Sequence, residues 1–339
     1  MSINENNNNL SFVINPSLKI DHVHLRVSDL NESIKFYQSI LGFRVLKDKS
    51  TSNTAFLVDS SSSVVAMDNP NTALSSINKE KILPLLVLTE IDKNNDDNNR
   101  LKSIKKEAGL YHFAILLPER KFLAAFLRHI QKNLDPQFYE GMADHAVSES
   151  IYIHDPDYNG IEVYRDRLPA QWRWNGDKVY MVTEPLDVQD LFIQNPDENW
   201  TGLPAATTIG HVHLHVSNLN RSRKFYRDIF GLYHTASYPG AYFFAADHYH
   251  HHVATNIWLG TNIARTTDNN NKPGLAHYTV RLPYDKIEID ELKHHFIELG
   301  IAVNEIAIES EIQKEQQQKT SFYIYDPDGI KIQFLFNLR

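Results

Sequence analysis

The sequence contains no cysteine, and this absence limits the kinds of functional site that the protein can build. Disulfide frameworks, zinc ribbons and thiol nucleophiles all require cysteine, so each of them is excluded. If the protein binds a metal ion, the ligands must therefore be histidine and carboxylate side chains. The chain carries 17 histidines, so ligands of that type are plentiful.

Positive charge and long apolar runs are also scarce. Lys and Arg number 34 against 42 Asp and Glu, the formal net charge is −8, and no basic stripe is present. This balance argues against a nucleic-acid partner and favours a small molecule. The chain has no run of about 18 apolar residues, as a membrane span would need, and its first eleven residues do not resemble a signal peptide. We therefore expect a cytoplasmic protein that makes no membrane contact and that could form homo-oligomers.

What the chain does contain is an internal duplication. The segment HVHLRVSDLNESIKFY begins at His22, and a near copy, HVHLHVSNLNRSRKFY, begins at His211. A second pair of copies places GLYHFAILLP around His112 and GLAHYTVRLP around His277. Asp-Pro-Asp follows in both halves, at 155–157 and at 326–328. Such a repeat predicts two related halves, each built from one supersecondary unit used twice.

Each unit combines the patterns of a strand, a helix and further strands. Residues 22–27 alternate between apolar and polar types, and the apolar residues from Leu30 to Leu41 recur at helical spacing until Gly42. Further strands are predicted at residues 54–58, 64–67, 82–88, 241–244 and 250–257, among others. The sequence thus predicts an α+β fold of four βαβββ modules, numbered one to four, near residues 20–90, 109–165, 210–262 and 274–338.

The modules group into two tandem domains. We expect a disordered polar arm over residues 1–18, an N-terminal domain over 19–166 with modules one and two, and a C-terminal domain over 209–339 with modules three and four. The intervening residues 167–208 contain several prolines and three tryptophans, so we expect a packed linker there.

This arrangement resembles the vicinal oxygen chelate superfamily, and within it the type I extradiol dioxygenases of the catechol 2,3-dioxygenase kind. The sharpest local match is ADHAVSESIYIHDPDYNGIE, residues 143–162. It is similar to the signature of those enzymes, which consists of a His, an apolar residue followed by Tyr, an Asp-Pro turn and a Glu. Ala143 and Tyr158 depart from the usual residues, both at turn positions. The resemblance covers residues 20–338 and implies two vicinal oxygen chelate domains with a centre of two histidines and one carboxylate.

Two histidines and one carboxylate leave neighbouring coordination positions open, which suits Fe(II) or, as a second choice, Mn(II). Module two carries Glu162 on its last strand, whereas module four has Gln333, a poorer ligand for a divalent ion. One full site is therefore predicted, and it must include Glu162. The candidate histidines on the first strands of the four modules are His22, His112, His211 and His277.

The choice of histidines depends on which modules pair. If each half closes on itself, the ligands are His22, His112 and Glu162. If modules two and three pair, as in fused glyoxalase-like members of the superfamily, His211 replaces His22. The resemblance also implies an acid–base histidine on a strand of the partner module. Module one has no histidine on its strands at 55–58 and 64–67, whereas module three has His251, so we favour His112, Glu162 and His211 as ligands with His251 as acid and base.

Other histidines and tyrosines have two interpretations each. The resemblance gives His145 and Tyr152 a role at the substrate oxygens, although Tyr152 could instead pack the sheet. The run from His248 to His252 could be a solvated polar patch. We interpret three further first-strand histidines as barrel filling or rim residues, namely His24, His213 and His215.

The predicted activity is Fe(II)-dependent extradiol (meta) cleavage of catechol, or of a substituted catechol or hydroquinone, by O2. The expected partners are therefore a small aromatic diol and O2. A glyoxalase-type metal-dependent isomerase is the first alternative, but it would need a second carboxylate where Val253 and Ala254 stand. A non-enzymatic drug-binding protein is the second, and it would not need a full ligand set.

Overall fold

The computed structural model describes residues 10–47, 49–60, 83–92, 107–196, 199–266, 272–306 and 321–336. Numbered along the chain, the strands are β1 (Lys19–Val27), β2 (Arg44–Val45), β3 (Thr54–Val58), β4 (Leu86–Glu90), β5 (Gly109–Leu116), β6 (Tyr139–Asp144), β7 (Ser148–His154), β8 (Gly160–Asp166), β9 (Trp174–Asn175), β10 (Lys178–Val179), β11 (Thr208–His215), β12 (Tyr233–Tyr238), β13 (Ala241–Ala245), β14 (Val253–Asn256), β15 (Gly274–Leu282), β16 (Asn304–Glu305), β17 (Ser321–Tyr325) and β18 (Lys331–Phe336). The α-helices are α1 (Leu30–Phe36), α2 (Arg120–Asn133), α3 (Val188–Ile193), α4 (Leu219–Arg223) and α5 (Lys286–Glu298). Two π-helical turns (Tyr37–Leu41 and Lys224–Ile229) extend α1 and α4, and short 3-10 helices occupy Pro136–Phe138 and Pro169–Gln171.

Two eight-stranded sheets dominate the structure, and each sheet takes one module from each half of the sequence. In the 2–3 sheet, the strand order is β12-β13-β14-β11-β5-β8-β7-β6, and modules three and two join where β11 pairs antiparallel with β5. In the 1–4 sheet, the order is β16-β17-β18-β15-β1-β4-β3-β2, and modules four and one join where β15 pairs antiparallel with β1. The α+β fold of four βαβββ modules is confirmed. The sheets follow the pairing of modules two and three that we favoured from the sequence, so they cut across the halves 19–166 and 209–339.

Consecutive modules are linked by the repeated Lys-Phe-Tyr and Asp-Pro-Asp motifs. The buried Tyr37 hydroxyl donates a hydrogen bond of 2.8 Å to Asp155 of module two. Tyr226 does the same to Asp326 of module four, at 3.0 Å. Burial raises the pKa of Asp155 to about 6 and that of Asp326 to about 7. The duplicated motifs are therefore structural contacts within each half, whereas the sheets join the halves to each other.

The ends of the first helix follow from its sequence. Asp29 caps α1, because its side chain accepts a hydrogen bond of 3.0 Å from the backbone N–H of Glu32. The π-helical turn after α1 ends at Gly42, whose φ of 79° lies in the left-handed region that favours glycine. The helix end predicted at Gly42 is thus confirmed, and the predicted helix divides into an α-helical and a π-helical part.

The linker residues pack against the 2–3 sheet. Trp172 is buried, its indole N–H donates to the carbonyl oxygen of Val147 at 3.1 Å, and it belongs to a small hydrophobic cluster with Val179 and Phe243. The linker also contains the short hairpin β9–β10 and the helix α3. Within the described residues, no helix has the length and apolarity needed to cross a membrane.

Three expectations from the sequence require comment. The strand predicted at 250–257 begins only at Val253, so the histidine run lies in the bends before β14. The predicted polar arm is wrong for its last residues, because Ile14 and Leu18 are buried and the Phe12 ring stacks on His295. The strand predicted at 64–67 lies outside the described residues, as do residues 1–9 of the arm.

Candidate active site and metal centre

Three neighbouring strands of the 2–3 sheet bring two histidines and a glutamate together. On β5, His112 precedes Ala114 by two residues, and Ala114 pairs with Glu162 on the parallel strand β8. On the other side of β5, the antiparallel strand β11 places His211 opposite Ala114. Side chains two residues apart share one face of a strand, and in-register neighbours point to the same side of a sheet. The small side chain of Ala114 therefore lies between two of the three groups, which converge above it.

The convergence is tight and buried. The Nε2 atoms of His112 and His211 lie 3.0 and 2.9 Å from the same oxygen of Glu162, Oε2. One ligand atom from each of the three side chains falls within 4.8 Å of the others. The residues are 6%, 1% and 3% exposed, in the order His112, His211 and Glu162. These are the three ligands that we favoured from the sequence.

Two glycines allow this close packing. A Cβ atom on Gly160, which pairs with His112, would lie 2.1 Å from the carbonyl oxygen of Tyr111. A Cβ atom on Gly210, directly before His211, would lie 1.7 Å from the Tyr164 hydroxyl. A larger residue at Gly160 would therefore clash with the backbone of β5, and one at Gly210 would displace the Tyr164 side chain.

The protonation states at the centre suit a metal ion. Burial alone would raise the pKa of Glu162, but the adjacent His211 and His112 hold that pKa well below its ordinary range. Burial lowers the pKa of His211 to about 4. Near neutral pH the glutamate is therefore ionised and the His211 ring is neutral, which are the forms that coordinate a cation.

The hydrogen bonds at the centre also fit a bound cation. His112 Nε2 is buried and, among the described residues, makes no hydrogen bond, although Glu162 lies close to it. The other carboxylate oxygen of Glu162, Oε1, accepts a hydrogen bond of 2.6 Å from the Ser150 hydroxyl. Ser150 thereby orients Glu162 with Oε2 toward both imidazoles, as residues behind a metal ligand commonly do. The three residues could hold one divalent ion.

A cavity of about 530 Å³ opens beside the centre. His112 and Glu162 form part of its wall, and so do His145, Tyr152 and His251, which we singled out in the sequence. The other aromatic and polar lining includes Tyr111, Phe243, Trp258, His213 and Glu140. A volume of this size accommodates a small organic molecule, and aromatic walls suit a ring.

His145 and Tyr152 form a hydrogen-bonded pair in this cavity. The Nδ1 atom of His145 lies 2.6 Å from the carbonyl oxygen of Val182, and a carbonyl only accepts, so Nδ1 carries a proton. Nε2 of the same ring lies 2.6 Å from the Tyr152 hydroxyl. Burial, together with the nearby Glu162, raises the pKa of Tyr152 well above its usual value. Tyr152 is therefore a protonated hydroxyl within the site and does not merely pack the sheet.

His251 is also part of the cavity wall. It is 6% exposed, and its ring centroid lies 4.1 Å from that of His211. Its neighbour His250 is fully buried, so these two residues of the histidine run are not a solvated patch. Burial, followed by the proximity of His211 and His250, lowers the pKa of His251 well below its usual value.

Family membership follows from the sequence matches. Residues 19–163 and 208–334 match the model of the Glyoxalase/Bleomycin resistance protein/Dioxygenase superfamily. The chain belongs to this superfamily. The resemblance proposed from the sequence and the two tandem vicinal oxygen chelate domains are thereby confirmed.

Relatives within the superfamily span most of the chain. A catechol-2,3-dioxygenase of Bacillus subtilis (strain 168) is 34% identical over 295 residues, which are 86% of this chain and 92% of that protein. The crystal structure of a putative dioxygenase from Bacillus subtilis subsp. subtilis str. 168 has a TM-score of 0.55 at 12% identity, covering 94% of this chain and 84% of the other. A mutant of glyoxalase I from Zea mays has a TM-score of 0.51 at 16% identity, covering 94% of each chain. The two structural likenesses show the superfamily fold alone.

Sequence reasoning missed several residues of the candidate site. His213, which we interpreted as a barrel-filling or rim residue, lines the cavity, and its buried Nε2 has no hydrogen-bond partner among the described residues. Linker residues from Lys178 to Thr183 also line the cavity. His211 and His213 are two residues apart on one strand and therefore share a face, so the sequence could have predicted that His213 lies at the same site as His211. Nothing in the linker's own sequence indicates its contribution, because that depends on how it folds back onto the sheet.

Proposed function

We propose that this protein is an Fe(II)-dependent extradiol dioxygenase that opens the ring of catechol, or of a substituted catechol or hydroquinone, beside its hydroxyl groups. The observation that carries the proposal is the buried convergence of His112, Glu162 and His211 next to an aromatic-lined cavity. The 34% identity to a catechol-2,3-dioxygenase over 86% of the chain supports it. Bound by these residues, Fe(II) would supply the open positions at which both catechol oxygens and O2 meet.

In this proposal, His251 acts as the base. It lines the cavity beside His211, and its lowered pKa keeps the ring neutral and able to accept a proton. A catechol must lose hydroxyl protons to bind a cation through both oxygens. His251 would take the second of these protons, and it would return a proton at a later step. General acid–base catalysis of this type typically contributes about 10²–10⁴-fold to a rate.

In this proposal, the pair His145–Tyr152 stabilises negative charge on oxygen. The backbone carbonyl of Val182 fixes the proton of His145 on Nδ1, so Nε2 and the Tyr152 hydroxyl share the proton that faces the cavity. When His145 is protonated, the Tyr152 hydroxyl is released to donate to a substrate oxygen. Preorganised donors of this type stabilise charge that develops during a reaction. Both atoms of O2 enter the product, a hydroxymuconic semialdehyde, so the reaction needs no further reductant.

The cavity supports a ring substrate that carries substituents. Tyr111, Phe243 and Trp258 supply aromatic walls, and Glu140 and Lys178 add a negative and a positive group to the lining. The Lys178 ammonium donates to the carbonyl oxygen of His234 at 2.6 Å, which anchors it. The volume of about 530 Å³ exceeds what an unsubstituted catechol fills. Substituted catechols therefore belong in the substrate screen beside catechol itself.

The test is a pair of assays on protein purified without air and loaded with Fe(II). Catechol and O2 should give a yellow ring-cleaved semialdehyde, whereas the glutathione hemithioacetal of methylglyoxal should not be consumed. Ring cleavage without isomerisation would establish the proposal. Isomerisation without ring cleavage would move the protein to the glyoxalase class, and tight catechol binding without turnover would make it a binding protein. The structure favours the first outcome, because Ala254 occupies the position in module three that corresponds to Glu162.

A further inference from the structure

A chain of hydrogen bonds runs from His251 away from the cavity. Nδ1 of His251 lies 2.8 Å from Nδ1 of His250, and Nε2 of His250 lies 2.8 Å from Oδ1 of Asp166. Asp166 is the last residue of β8, the strand that also carries Glu162. The His250 side chain is fully buried, whereas that of Asp166 is 20% exposed. The site therefore connects to a carboxylate that none of the roles assigned above uses.

The chemistry of each group fixes the direction of these hydrogen bonds. An ionised carboxylate only accepts, so the proton between Asp166 and His250 lies on His250 Nε2. When the His250 ring is neutral, its proton lies on Nε2 beside Asp166 and its lone pair lies on Nδ1. His250 Nδ1 then accepts from His251, whose Nδ1 must carry a proton. The lone pair of His251 is thereby left on Nε2, the nitrogen that His250 does not contact.

Tyr249 holds Asp166 in place, and Tyr164 in turn contacts Tyr249. The Tyr249 hydroxyl donates to Asp166 Oδ2 at 2.9 Å, so its own oxygen is free to accept from Tyr164, 2.9 Å away. Tyr164 is fully buried, and its hydroxyl occupies the space that a side chain at Gly210 would fill. Both carboxylate oxygens of Asp166 thus have a donor, and the group cannot turn away from His250 without losing both.

We propose that Asp166 and His250 are positioning residues, which keep His251 in the tautomer protonated on Nδ1 so that its Nε2 serves as the base. When Nε2 takes a proton from the substrate, the positive charge on His251 is stabilised through His250 by the Asp166 carboxylate. The arrangement follows the logic by which a buried aspartate orients a catalytic histidine in serine proteases. The catalytic part of this inference rests on the proposed function, whereas the tautomer does not.

The direct test is the tautomer of His251 in the protein loaded with diamagnetic Zn²⁺. Histidine is labelled with ¹⁵N, and the His251 signals are identified as those missing from His251→Gln. Nitrogen NMR distinguishes a protonated from an unprotonated ring nitrogen, so it reads the tautomer without any turnover. We expect the proton on Nδ1. A proton on Nε2 would overturn the inference, because that ring could not accept a substrate proton there.

The kinetic test replaces Asp166 with an isosteric group. In Asp166→Asn, the Tyr249 hydroxyl keeps the amide oxygen as its acceptor, and the amide nitrogen then donates to His250 Nε2. Both imidazoles must change tautomer, so kcat for ring cleavage should fall by about 10²-fold or more while KM and metal content change little. The His251 signals should shift to the Nε2 tautomer. The matched control is Asp190→Asn, the same change at an exposed carboxylate that pairs with Arg120, and it should leave kcat unchanged.

The possible results separate this inference from the proposed function. Ring cleavage by the wild-type protein, with an unchanged kcat in Asp166→Asn, would reject the positioning role and leave the dioxygenase intact. A His251 protonated on Nδ1 in a protein that does not cleave catechol would reject the dioxygenase and leave the hydrogen-bond chain intact. Tyr249→Phe removes one donor to Asp166 but keeps the Asp166–His250 contact. It should preserve the tautomer, and it therefore shows whether a loss in Asp166→Asn reflects general disruption of this segment.

Discussion

The 2–3 sheet and the 1–4 sheet are two copies of one architecture, and among the described residues only the 2–3 sheet brings together three side chains that could hold a metal ion. Each has two histidines at corresponding positions of its central strands: His112 and His211 in the first, His277 and His22 in the second. The relevant difference between the two sheets is one residue on the strand that pairs in parallel with the strand of His112 or His277. Glu162 pairs with a residue two positions after His112, and in the 1–4 sheet the corresponding position holds Gln333. A neutral amide in place of a carboxylate removes the charge that a divalent ion needs most.

The histidines of the 1–4 sheet are also bonded differently. His22 Nδ1 lies 2.7 Å from the Asp21 carboxylate, and Nε2 lies 3.2 Å from the Thr279 hydroxyl. His24 Nε2 is within 2.8 Å of the Thr89 hydroxyl. In the 2–3 sheet, by contrast, the imidazoles of the ligand set converge on a single oxygen of Glu162. The two pairs of histidines thus have different partners, and the carboxylate of Glu162 is the difference on which our choice of the metal site rests.

The largest effect is expected from making the 2–3 sheet resemble the 1–4 sheet at this position. Glu162→Gln should abolish metal binding and ring cleavage while the protein stays folded, because a neutral amide of the same shape replaces the carboxylate. Elemental analysis and circular dichroism measure the two results. Gln333→Ala is the control in the other sheet and should keep full metal content. Retention of iron in Glu162→Gln would show that this residue is not a ligand.

The two first-strand histidines provide the next comparison. His211→Ala should lose iron binding and ring cleavage, whereas His22→Ala should keep both, because His22 lies in the sheet that lacks the carboxylate. Metal content per chain, measured on both variants after identical anaerobic loading, checks this. The reverse pattern, with iron lost only in His22→Ala, would place the centre within the N-terminal half.

A smaller effect is expected at the base. His251 stands three residues before Ala254 of β14, and in the 1–4 sheet Pro84 stands three residues before Val87, the counterpart of Ala254. The 1–4 sheet thus offers no base at this position. His251→Ala should lower kcat for ring cleavage by about 10²–10⁴-fold while iron content is retained. Steady-state kinetics and elemental analysis on one preparation suffice, and an unchanged kcat would remove His251 from the mechanism.

The smallest effect concerns the pH dependence of stability, and it arises in the 1–4 sheet. Burial, with help from His22, lowers the pKa of His24 from 6.5 to about 3. As the pH falls below 6.5, His24 binds a proton in the unfolded chain, whereas in the folded protein it binds one only near pH 3. Protonation therefore favours the unfolded chain over this interval, and the contribution of His24 to stability is lost as the pH falls. His24→Gln should give a shallower decline of the unfolding free energy over this interval in urea titrations.

The matched control for that titration is His294→Gln in α5, because the His294 side chain is 71% exposed. It should leave the slope unchanged. An equal slope in His24→Gln and the wild-type protein would show that His24 is not kept neutral by the fold.

Much of the site follows from the repeat itself. His112, Glu162 and His211 were singled out because equivalent positions of a duplicated unit can be compared. The pairing of modules two and three was favoured because the family resemblance implies a base on the partner module, and His251 lies in module three. The hydrogen bond from Ser150 to Glu162 and the chain of hydrogen bonds from His251 to Asp166 could not be predicted from the sequence, because they depend on side-chain orientation across strands. The strand predicted at 250–257 starts three residues too early, because the three histidines before Val253 do not show in sequence where strand pairing begins. The burial of Ile14 and Leu18 was missed because the polar composition around them masks two anchoring side chains.

The central claim is that one metal centre forms, across the two halves of the chain, in the 2–3 sheet. Anomalous diffraction at the iron absorption edge, from crystals of the Fe(II)-loaded protein, tests this most directly. The account predicts one strong peak per chain, within coordinating distance of His112 Nε2, His211 Nε2 and a carboxylate oxygen of Glu162. A peak between His22 and His277 in the 1–4 sheet, either alone or as a second peak of equal height, would contradict it.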